Sequence, residues 1–557
     1  MRRIRLLGPT GVLVGRAALA AAVVGCGDAG GGDDAATTTA ATPASTAGDE
    51  TVTGDAGSTA GSSSEAPIPT TGEPPPPDLP TATCFPVGGT YWVLEGQPVA
   101  VPVTCGSGDD PGKYSLGLVP PGLQLGPTEI SWTPGLDQAA TWEFTLTVEN
   151  GEQTALTIGV IDNWADPGNT PVLDPTRYTA EYGLPVLHLQ TDPGITDADY
   201  TPATVTYRGH VFTAEAKHRG AASLGYPKKS YTLKFDKDDE FHEPAQDFLG
   251  KRRIVLISTF DDNTYIRQRL AYELWNDLDP DHLQIQTYGA VVFLNGAYWG
   301  LYAVADHVDR HYMEDQGFAA TGNLYKSRTH DANFRLTNID NNPKGSLHDG
   351  LTKEEGLPAD GEPGAYDDLD ELINWVATAP QAQFTGEIDA RIDRRDYEDW
   401  WIFVTLIMGD DSAGKNAYHY HDPVGGPWRY APWDFNDSFG QTWQTARKGF
   451  DAHPEDYVWA NELFARMLLD PGLGPPLRAR YGAALTDVYA VERILDRVDE
   501  LALEVVDSAH RDELLWAAQY QTYGGWNWRT DFVDHDQEML YLRQWIADRW
   551  AFVDGLY

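Results

Sequence analysis

The sequence predicts an α+β fold in which a strand-rich lobe is followed by a helical lobe. From residue 166, short β-rich runs such as KSYTLKF and RRIVLIS alternate with turn residues. Beyond an acidic, turn-rich segment at about 329–365, longer runs such as AVERILDRVDELALEVV are typical of helices. Short strands also precede both lobes, so we expect a two-lobed α+β region behind a small all-β sandwich.

The composition limits the size of the protein and the class of its partners. With 557 residues the chain is too long for one ordinary domain, and 41% hydrophobic residues suffice for substantial cores. A net charge of -43 argues against nucleic acid as a partner. It suits an extracytoplasmic or cation-binding protein, and a general acidic bias of the source explains it equally well.

Residues 1–26 are typical of a lipoprotein signal peptide. A positive start with three arginines precedes the short apolar run AALAAAVV, and VVGC resembles a bacterial lipobox ending at Cys26. We therefore predict an exported protein whose lipidated Cys26 anchors it to the membrane of the bacterial cell envelope. The alternative is an ordinary signal peptide with a coincidental cysteine.

Two further segments precede the main body. Residues 27–82 lack large apolar side chains and end in GEPPPPDLP, which predicts a disordered linker. Residues 83–165 contain short strands, and VPPGLQLGPTEISWTPG resembles the immunoglobulin-like domains of bacterial surface proteins, with Trp132 in the core. In an exported protein, Cys84 and Cys105 are expected to form a disulfide.

A predicted hairpin carries acidic and amide side chains at both of its ends. The segment GDDSAGKNAYHYHDPVGGPWRYAPWDFND, residues 409–437, contains two aromatic runs around the turn PVGG. Paired strands lie about 5 Å apart, so Asp411 and Asn416 before the hairpin converge with Asp434 after it. Such oxygens suit Mg²⁺ or Mn²⁺. The alternative is a structural turn or a calcium loop.

The spacing within this hairpin adds a second indication. Asp411 and Asn416 are five residues apart, as are the base and the metal-binding Asn in the catalytic loop of protein kinases. In that fold a hairpin and a metal-binding Asp follow, and here Asp434 stands 18 residues after Asn416. The order of the residues is more specific than any one interval.

A basic segment upstream, KHRGAASLGYPKKSYTLKF, is suited to phosphate. Its small-residue loop from Arg219 through Gly220 to Ser223 lets backbone N–H groups approach an anion. Three lysines follow, of which at most one is expected to face the nucleotide: Lys228, Lys229 and Lys234. The alternative is a surface hairpin whose lysines balance nearby acids.

The segment TYIRQRLAYELWNDL, residues 264–278, predicts a helix, and the residues ISTFDDN that precede it provide an acidic start. Asp261 to Asn263 are interpreted as its N-cap and first turn, where acids oppose the helix dipole. Arg267 and Arg269 are expected to form ion pairs at the edge of the core. Glu273 is a candidate partner for the lysine that contacts the nucleotide.

Five segments in one order over about 270 residues resemble the CotH family, the spore-coat-protein-H-like atypical protein kinases. They are AEAKHRGAASLGYPKKSYTLKF, ISTFDDNTYIRQRLAYELW, VVFLNGAYWGLYAVADHVD, MGDDSAGKNAYHYH and APWDFNDSFG, and the C-terminal LRQWIADRWAFVDG also fits. The resemblance covers about residues 170–555. It implies a two-lobed kinase-like domain at 166–557 that transfers phosphate from ATP, with Mg²⁺ or Mn²⁺, to Ser or Thr of exported proteins.

The resemblance also implies roles for individual residues. Asp411 would be the catalytic base, Asp434 the main metal ligand, and Asn416 a metal or phosphate partner. Asn436 remains a candidate metal ligand that brings no charge. Phosphate contacts would come from the basic segment: Arg219, Gly220, Ser223, Lys229 and, as alternatives, Lys228 and Lys234.

Three departures from the family pattern bear on activity. Asn436 stands where a second acid is usual, and Asp437 replaces that acid only if the backbone is rearranged. Ala305 and Asp306 stand where the family has a Glu, and RGAAS lacks the usual polar residue after its Gly. Two other functions are therefore considered: a catalytically weak interaction lipoprotein, and a calcium-binding surface module.

Overall fold

Strands predominate before residue 307 and helices after it, which confirms the predicted mixed α+β order. The computed structural model describes residues 84–86, 90–105, 114–148, 151, 153–169, 173–192, 194–526 and 529–557. The predicted signal peptide with Cys26 and the predicted linker lie outside these residues.

The first eight strands form two four-stranded sheets that share one apolar core. The sheet orders are β1-β3-β6-β5 and β2-β8-β7-β4, and Trp132 lies in the core between them. Cys84 and Cys105 are directly opposite each other in the register of β1 and β3, while their disulfide stays a prediction. The bounds of β1 to β8 are Cys84–Pro86, Tyr91–Leu94, Val99–Cys105, Tyr114–Leu116, Gln124–Leu125, Glu129–Trp132, Ala140–Val148 and Gln153–Ile161.

Eight of the next ten strands form a sheet that closes on itself, and the other two form a separate pair. The bounds of β9 to β18 are Ala180–Glu181, Leu184–Gln190, Thr201–Tyr207, His210–Arg219, Ser230–Phe235, Phe241–Glu243, Phe248–Lys251, Arg253–Ile257, Thr287–Leu294 and Ala297–Asp306. The order is β11-β12-β13-β16-β18-β17-β10-β9, and β10 also pairs with β11, while β14 pairs with β15. Successive side chains of β17 point to opposite faces of the sheet. Ala290 and Val292 therefore pack inside the ring, while Val291 and Phe293 pack against the helical core outside it.

The helical lobe packs against the outside of this ring. The bounds of α1 to α9 are Arg267–Leu278, Arg310–Asp315, Asp367–Thr378, Gln381–Arg391, Arg394–Leu406, Glu462–Leu469, Gly474–Thr486, Val491–Thr522 and His535–Asp554. Helix α1 packs on β17, and α8 packs on β18. Within the described part of the chain, none of the helices is both long enough and apolar enough to cross a membrane.

The predicted N-terminus of α1 is wrong by three residues. The prediction began the helix at Thr264, but the structure begins it at Arg267. The buried Asp262 carboxylate accepts hydrogen bonds from the backbone N–H groups of Thr264 and Arg267, which holds the preceding residues in a turn. Asp262 therefore satisfies a helix donor, while the neighbouring Asp261 is directed elsewhere.

The predicted hairpin is confirmed. The four-stranded sheet β20-β19-β21-β22 contains it, and Ala417 pairs with Pro432 at its base. The bounds of β19 to β22 are Asn323–Ser327, Leu351–Glu355, Ala417–His421 and Arg429–Pro432. The base of the hairpin therefore brings the segment before Ala417 close to the segment after Pro432.

Candidate functional site

One cleft of about 250 Å³ lies where the loops after β12 and β16 meet the base of the hairpin. Strands β12 and β13 pair at Arg219 and Ser230, and β13 pairs with β16, so their loops share one end of the ring. Most of the predicted site residues line this cleft: Arg219, Gly220, Ser223, Asp411, Asn416, Asp434 and Asn436. Their chemical roles stay predictions, but their convergence is a structural fact.

Hydrogen bonds join the two ends of the hairpin to each other and to β19. The Ser412 hydroxyl donates to the backbone oxygen of Asp434 at 2.9 Å, and the backbone N–H of Asn416 donates to Ser327 O at 3.0 Å. Asn416 and Asp434 both have left-handed backbone conformations, with φ of 55° and 63°. Asn and Asp tolerate this region better than other side chains, and strained backbone of this kind clusters at functional sites.

Two cationic or polar partners hold the Asp411 carboxylate. Lys415 Nζ lies 2.8 Å from Oδ2, and His330 Nε2 lies 3.4 Å from Oδ1. Burial by itself would raise the pKa of Asp411, but His330 and Lys415 outweigh burial and lower that pKa below its ordinary value. Asp411 is therefore ionised at neutral pH and able to accept a proton.

Opposing effects act on the pKa of Asp434. Burial raises its pKa, the charges of Arg219 and Lys326 oppose that increase, and the nearby Asp411 adds to it. The Arg219 guanidinium lies over the Trp433 ring, 4.9 Å from its centroid, which fixes a cation beside Asp434. Two carboxylates and several cations thus share one small volume.

The loop after β12 allows a close approach to its backbone. Gly220 has φ of 122°, and a Cβ at this position would lie 1.8 Å from Ser223 Oγ. Only glycine fits there without displacing Ser223. The loop therefore forms a cradle in which an anionic group can contact backbone N–H groups.

The three predicted phosphate-binding lysines do not line the cleft. Lys228 has no solvent exposure, and its Nζ lies 2.5 Å from the buried Asp512 of α8. Lys229 donates to the backbone oxygen of Leu224, and Lys234 Nζ lies 2.6 Å from Glu215. The cations that do line the cleft are Arg219, Arg328 and Lys415.

One predicted acid contact is wrong, and a second acid lies away from the cleft. Glu273 forms a bidentate pair with Arg497 of α8, at 2.6 and 3.0 Å, and not with a lysine of the basic segment. Asp306 is buried 3.1 Å from Lys251 Nζ rather than turned towards the cleft. Both acids stabilise contacts between secondary-structure elements.

Sequence reasoning missed several side chains at the cleft. Asp261, Arg328 and Lys415 line it, and His330 lies beside Asp411. Asp261 lines the cleft, although the sequence suggested an N-cap. Burial and the nearby charges of Asp434 and Asp262 raise its pKa to about 7, although the hydrogen bond from Asn436 acts in the opposite direction. Lys415 was detectable, because it stands four residues after Asp411. His330 had no local signal, because it comes from the turn-rich segment between β19 and β20.

The donor set fits a metal–nucleotide complex. Carboxylate and amide oxygens from Asp434, Asn416 and Asn436 are the ligands that hard divalent cations prefer. The Gly220 cradle and the Arg219 and Arg328 guanidiniums offer donors for phosphate on the same cleft.

Comparison with known proteins agrees with this geometry. The family model described as CotH kinase protein matches residues 216–553, more than half of the chain. Inner spore coat protein H of Bacillus subtilis (strain 168) is 26% identical over 306 residues, which cover 54% of this chain and 78% of that protein. The matched region contains every residue that lines the cleft, and the chain belongs to the CotH kinase family.

Proposed function

We propose that this protein is an atypical kinase that transfers the γ-phosphate of ATP to Ser or Thr of exported proteins, with Mg²⁺ or Mn²⁺. The observation that carries the proposal is the single cleft that combines Asp411, Asn416 and Asp434 with the Gly220 loop. A structural turn or a calcium loop needs the acids, but it has no need of a glycine cradle and guanidinium groups beside them.

In the proposed reaction Asp411 accepts the proton of the substrate hydroxyl. Its lowered pKa keeps it ionised, and Lys415 and His330 hold its position. Asp434, Asn416 and Asn436 would hold the cation, which supplies neutralisation of phosphate charge when bound. Arg219 and Arg328 attract the phosphates, and the Gly220 loop orients them.

The remaining regions fit an exported enzyme. Lipidation of Cys26 would anchor the chain to the envelope, and residues 27–82 would act as a tether. The two packed sheets that begin at Cys84 would serve as an immunoglobulin-like spacer or adhesive module. Exported Ser- and Thr-containing proteins are the proposed substrates.

The test is transfer of labelled γ-phosphate from ATP by the purified protein with Mn²⁺ or Mg²⁺. Asp411→Asn should lower the transfer rate about 100- to 10,000-fold, the range for loss of a general base, while nucleotide binding persists. Asp434→Asn should abolish both metal-dependent nucleotide binding and transfer. Glu215→Gln removes an equal charge outside the cleft and should change neither.

Two outcomes would count against this function. Undiminished labelling in both the Asp411 and the Asp434 variants would show that the site is elsewhere. Absence of transfer by the wild type to itself or to a Ser-rich protein would leave the non-catalytic interaction lipoprotein as the better description.

A further inference from the structure

The Asp261 carboxylate lies in the wall of the cleft on the loop between β16 and α1. Its side chain is 6% exposed. Oδ2 accepts hydrogen bonds from Asn436 Nδ2 at 2.7 Å and from the Tyr226 hydroxyl at 3.3 Å. Among the other described residues, none donates a hydrogen bond to Oδ1 and none forms an ion pair with Asp261. The second oxygen of a buried carboxylate is thus left for a ligand in the cleft.

A backbone clamp fixes Asp261 beside the segment that follows the hairpin. Gln441 is fully buried, and its Nε2 donates to the backbone oxygens of both Asp261 and Asn436 at 2.9 Å. The clamp and the Asn436 side chain hold two loops that come from opposite sides of the cleft. Asp261 therefore keeps a fixed position relative to Asp434, two residues before Asn436.

Neighbouring acids are already neutralised by cations. Asp437 lies 2.5 Å from Lys448 Nζ, and Asp262 lies 2.5 Å from an Arg267 nitrogen. Asp437 therefore does not replace the acid that position 436 lacks, because its charge is used in a buried pair. The side-chain partners of Asp261 in the described part of the chain, Tyr226 and Asn436, are neutral, so a cation in the cleft would balance the charge of its carboxylate.

We propose that Asp261 supplies the second carboxylate of the metal–nucleotide site, so that a divalent cation is held between Asp261 and Asp434 although position 436 is an amide. The Asn436 Nδ2 donates to Asp261 and orients it, while the Asn436 Oδ1 remains available as a neutral ligand. This inference rests on the proposed function for the identity of the cation's partner, ATP.

The test measures Mn²⁺ binding to the purified full-length protein by electron paramagnetic resonance, first with Mn²⁺ alone and then with a non-hydrolysable ATP analogue. Asp261→Asn keeps the shape of the side chain and should weaken Mn²⁺ binding at least about tenfold, as loss of a metal-site group does. The double variant Asp261→Asn/Asn436→Asp moves the carboxylate to position 436 and should restore binding. Glu215→Gln is the matched charge control and should bind as the wild type does.

Three results would overturn the inference. One is wild-type Mn²⁺ affinity in Asp261→Asn. Another is an equal loss in Glu215→Gln. A third is failure of the double variant to regain Mn²⁺ while its melting temperature without metal equals that of the wild type.

Failure of this inference is separable from failure of the proposed function. If Mn²⁺ binding depends on Asp261 but no phosphate is transferred, the metal assignment holds and the kinase proposal fails. If phosphate is transferred and Asp261→Asn binds Mn²⁺ normally, the kinase proposal holds and the metal assignment fails.

Discussion

Substitution of Asp512 by Asn should destabilise the protein strongly, because it leaves the buried Lys228 charged and without its anionic partner. Lys228 Nζ lies 2.5 Å from Asp512 Oδ2 and 2.6 Å from the backbone oxygen of Leu301, and the ring centroids of Tyr302 and Tyr265 lie 4.9 and 5.6 Å from it. Asparagine preserves the shape and still accepts from the backbone N–H of Leu301, so the change removes charge and little volume.

The expected loss in the free energy of unfolding is bounded on both sides. Removing one partner of a buried ion pair costs about 3–5 kcal/mol. Lys228 can instead lose its proton. For a lysine of ordinary pKa 10.5, deprotonation costs about 5 kcal/mol at pH 7, at about 1.4 kcal/mol per pH unit. We therefore expect a loss of about 3–5 kcal/mol at pH 7.

The assay is guanidinium unfolding followed by tryptophan fluorescence and circular dichroism, at pH 7 and pH 9. Burial lowers the pKa of Lys228, so the folded variant binds fewer protons than the unfolded chain. The loss in the free energy of unfolding of Asp512→Asn relative to the wild type should therefore become smaller as the pH rises. Glu215→Gln breaks the exposed pair with Lys234 and should cost less than about 1 kcal/mol. Lys228→Met/Asp512→Leu should recover most of the loss.

Either of two results would refute this reasoning. A loss in Asp512→Asn no larger than that in Glu215→Gln would mean that water reaches Lys228. A double variant as unstable as the single variant would mean that the hydrogen bonds of Asp512, rather than its charge, stabilise the fold.

Two further predictions concern the cleft and the hairpin. Gly220→Ala places a methyl group against Ser223 and should weaken binding of the Mn²⁺ complex of an ATP analogue about tenfold, measured by calorimetry. Gly194→Ala, at a position where a Cβ meets nothing within 4 Å, is the control and should bind as the wild type does. Unchanged affinity in Gly220→Ala would exclude the cradle. His419 is buried and its pKa is lowered to about 3, so the unfolded chain gains a proton below pH 6.5 that the folded chain does not. His419 should therefore lower the free energy of unfolding by about 2 kcal/mol as the pH falls from 6.5 to 5. The free energy of unfolding of His419→Gln should decline less steeply over this pH range, and equal slopes in the variant and the wild type would contradict the prediction.

Local patterns in the sequence predicted the parts of the site that depend on neighbouring residues. The hairpin, with Asp411, Asn416 and Asp434 at its base, follows from alternation and turn residues over fewer than 30 positions. Gly220 was identifiable because a loop of small residues separates two strands. These features need no knowledge of the rest of the chain.

Contacts between distant segments were not predictable in this way. Asp512 lies 284 residues after Lys228, and nothing near either residue indicates the pair. Glu273 was assigned to a lysine by analogy, but α8 presents Arg497 to the same face of α1. Asp261 was interpreted as a cap because caps and cleft carboxylates share a residue type, and only the position of Asn436 separates the two interpretations.

Glu538 of α9 has a consequence for the order in which the chain folds. Its carboxylate forms ion pairs with Arg267, Arg447 and Arg529. Glu538 lies 271 residues after Arg267, and Arg267 has no solvent exposure. The strand-rich lobe is synthesised first, yet α1 obtains its second carboxylate only when the last helix docks. Folding is therefore completed late and depends on contacts of high sequence separation, which slow it. A chain that ends before His535 should accumulate as a partly folded intermediate rather than as a smaller stable protein.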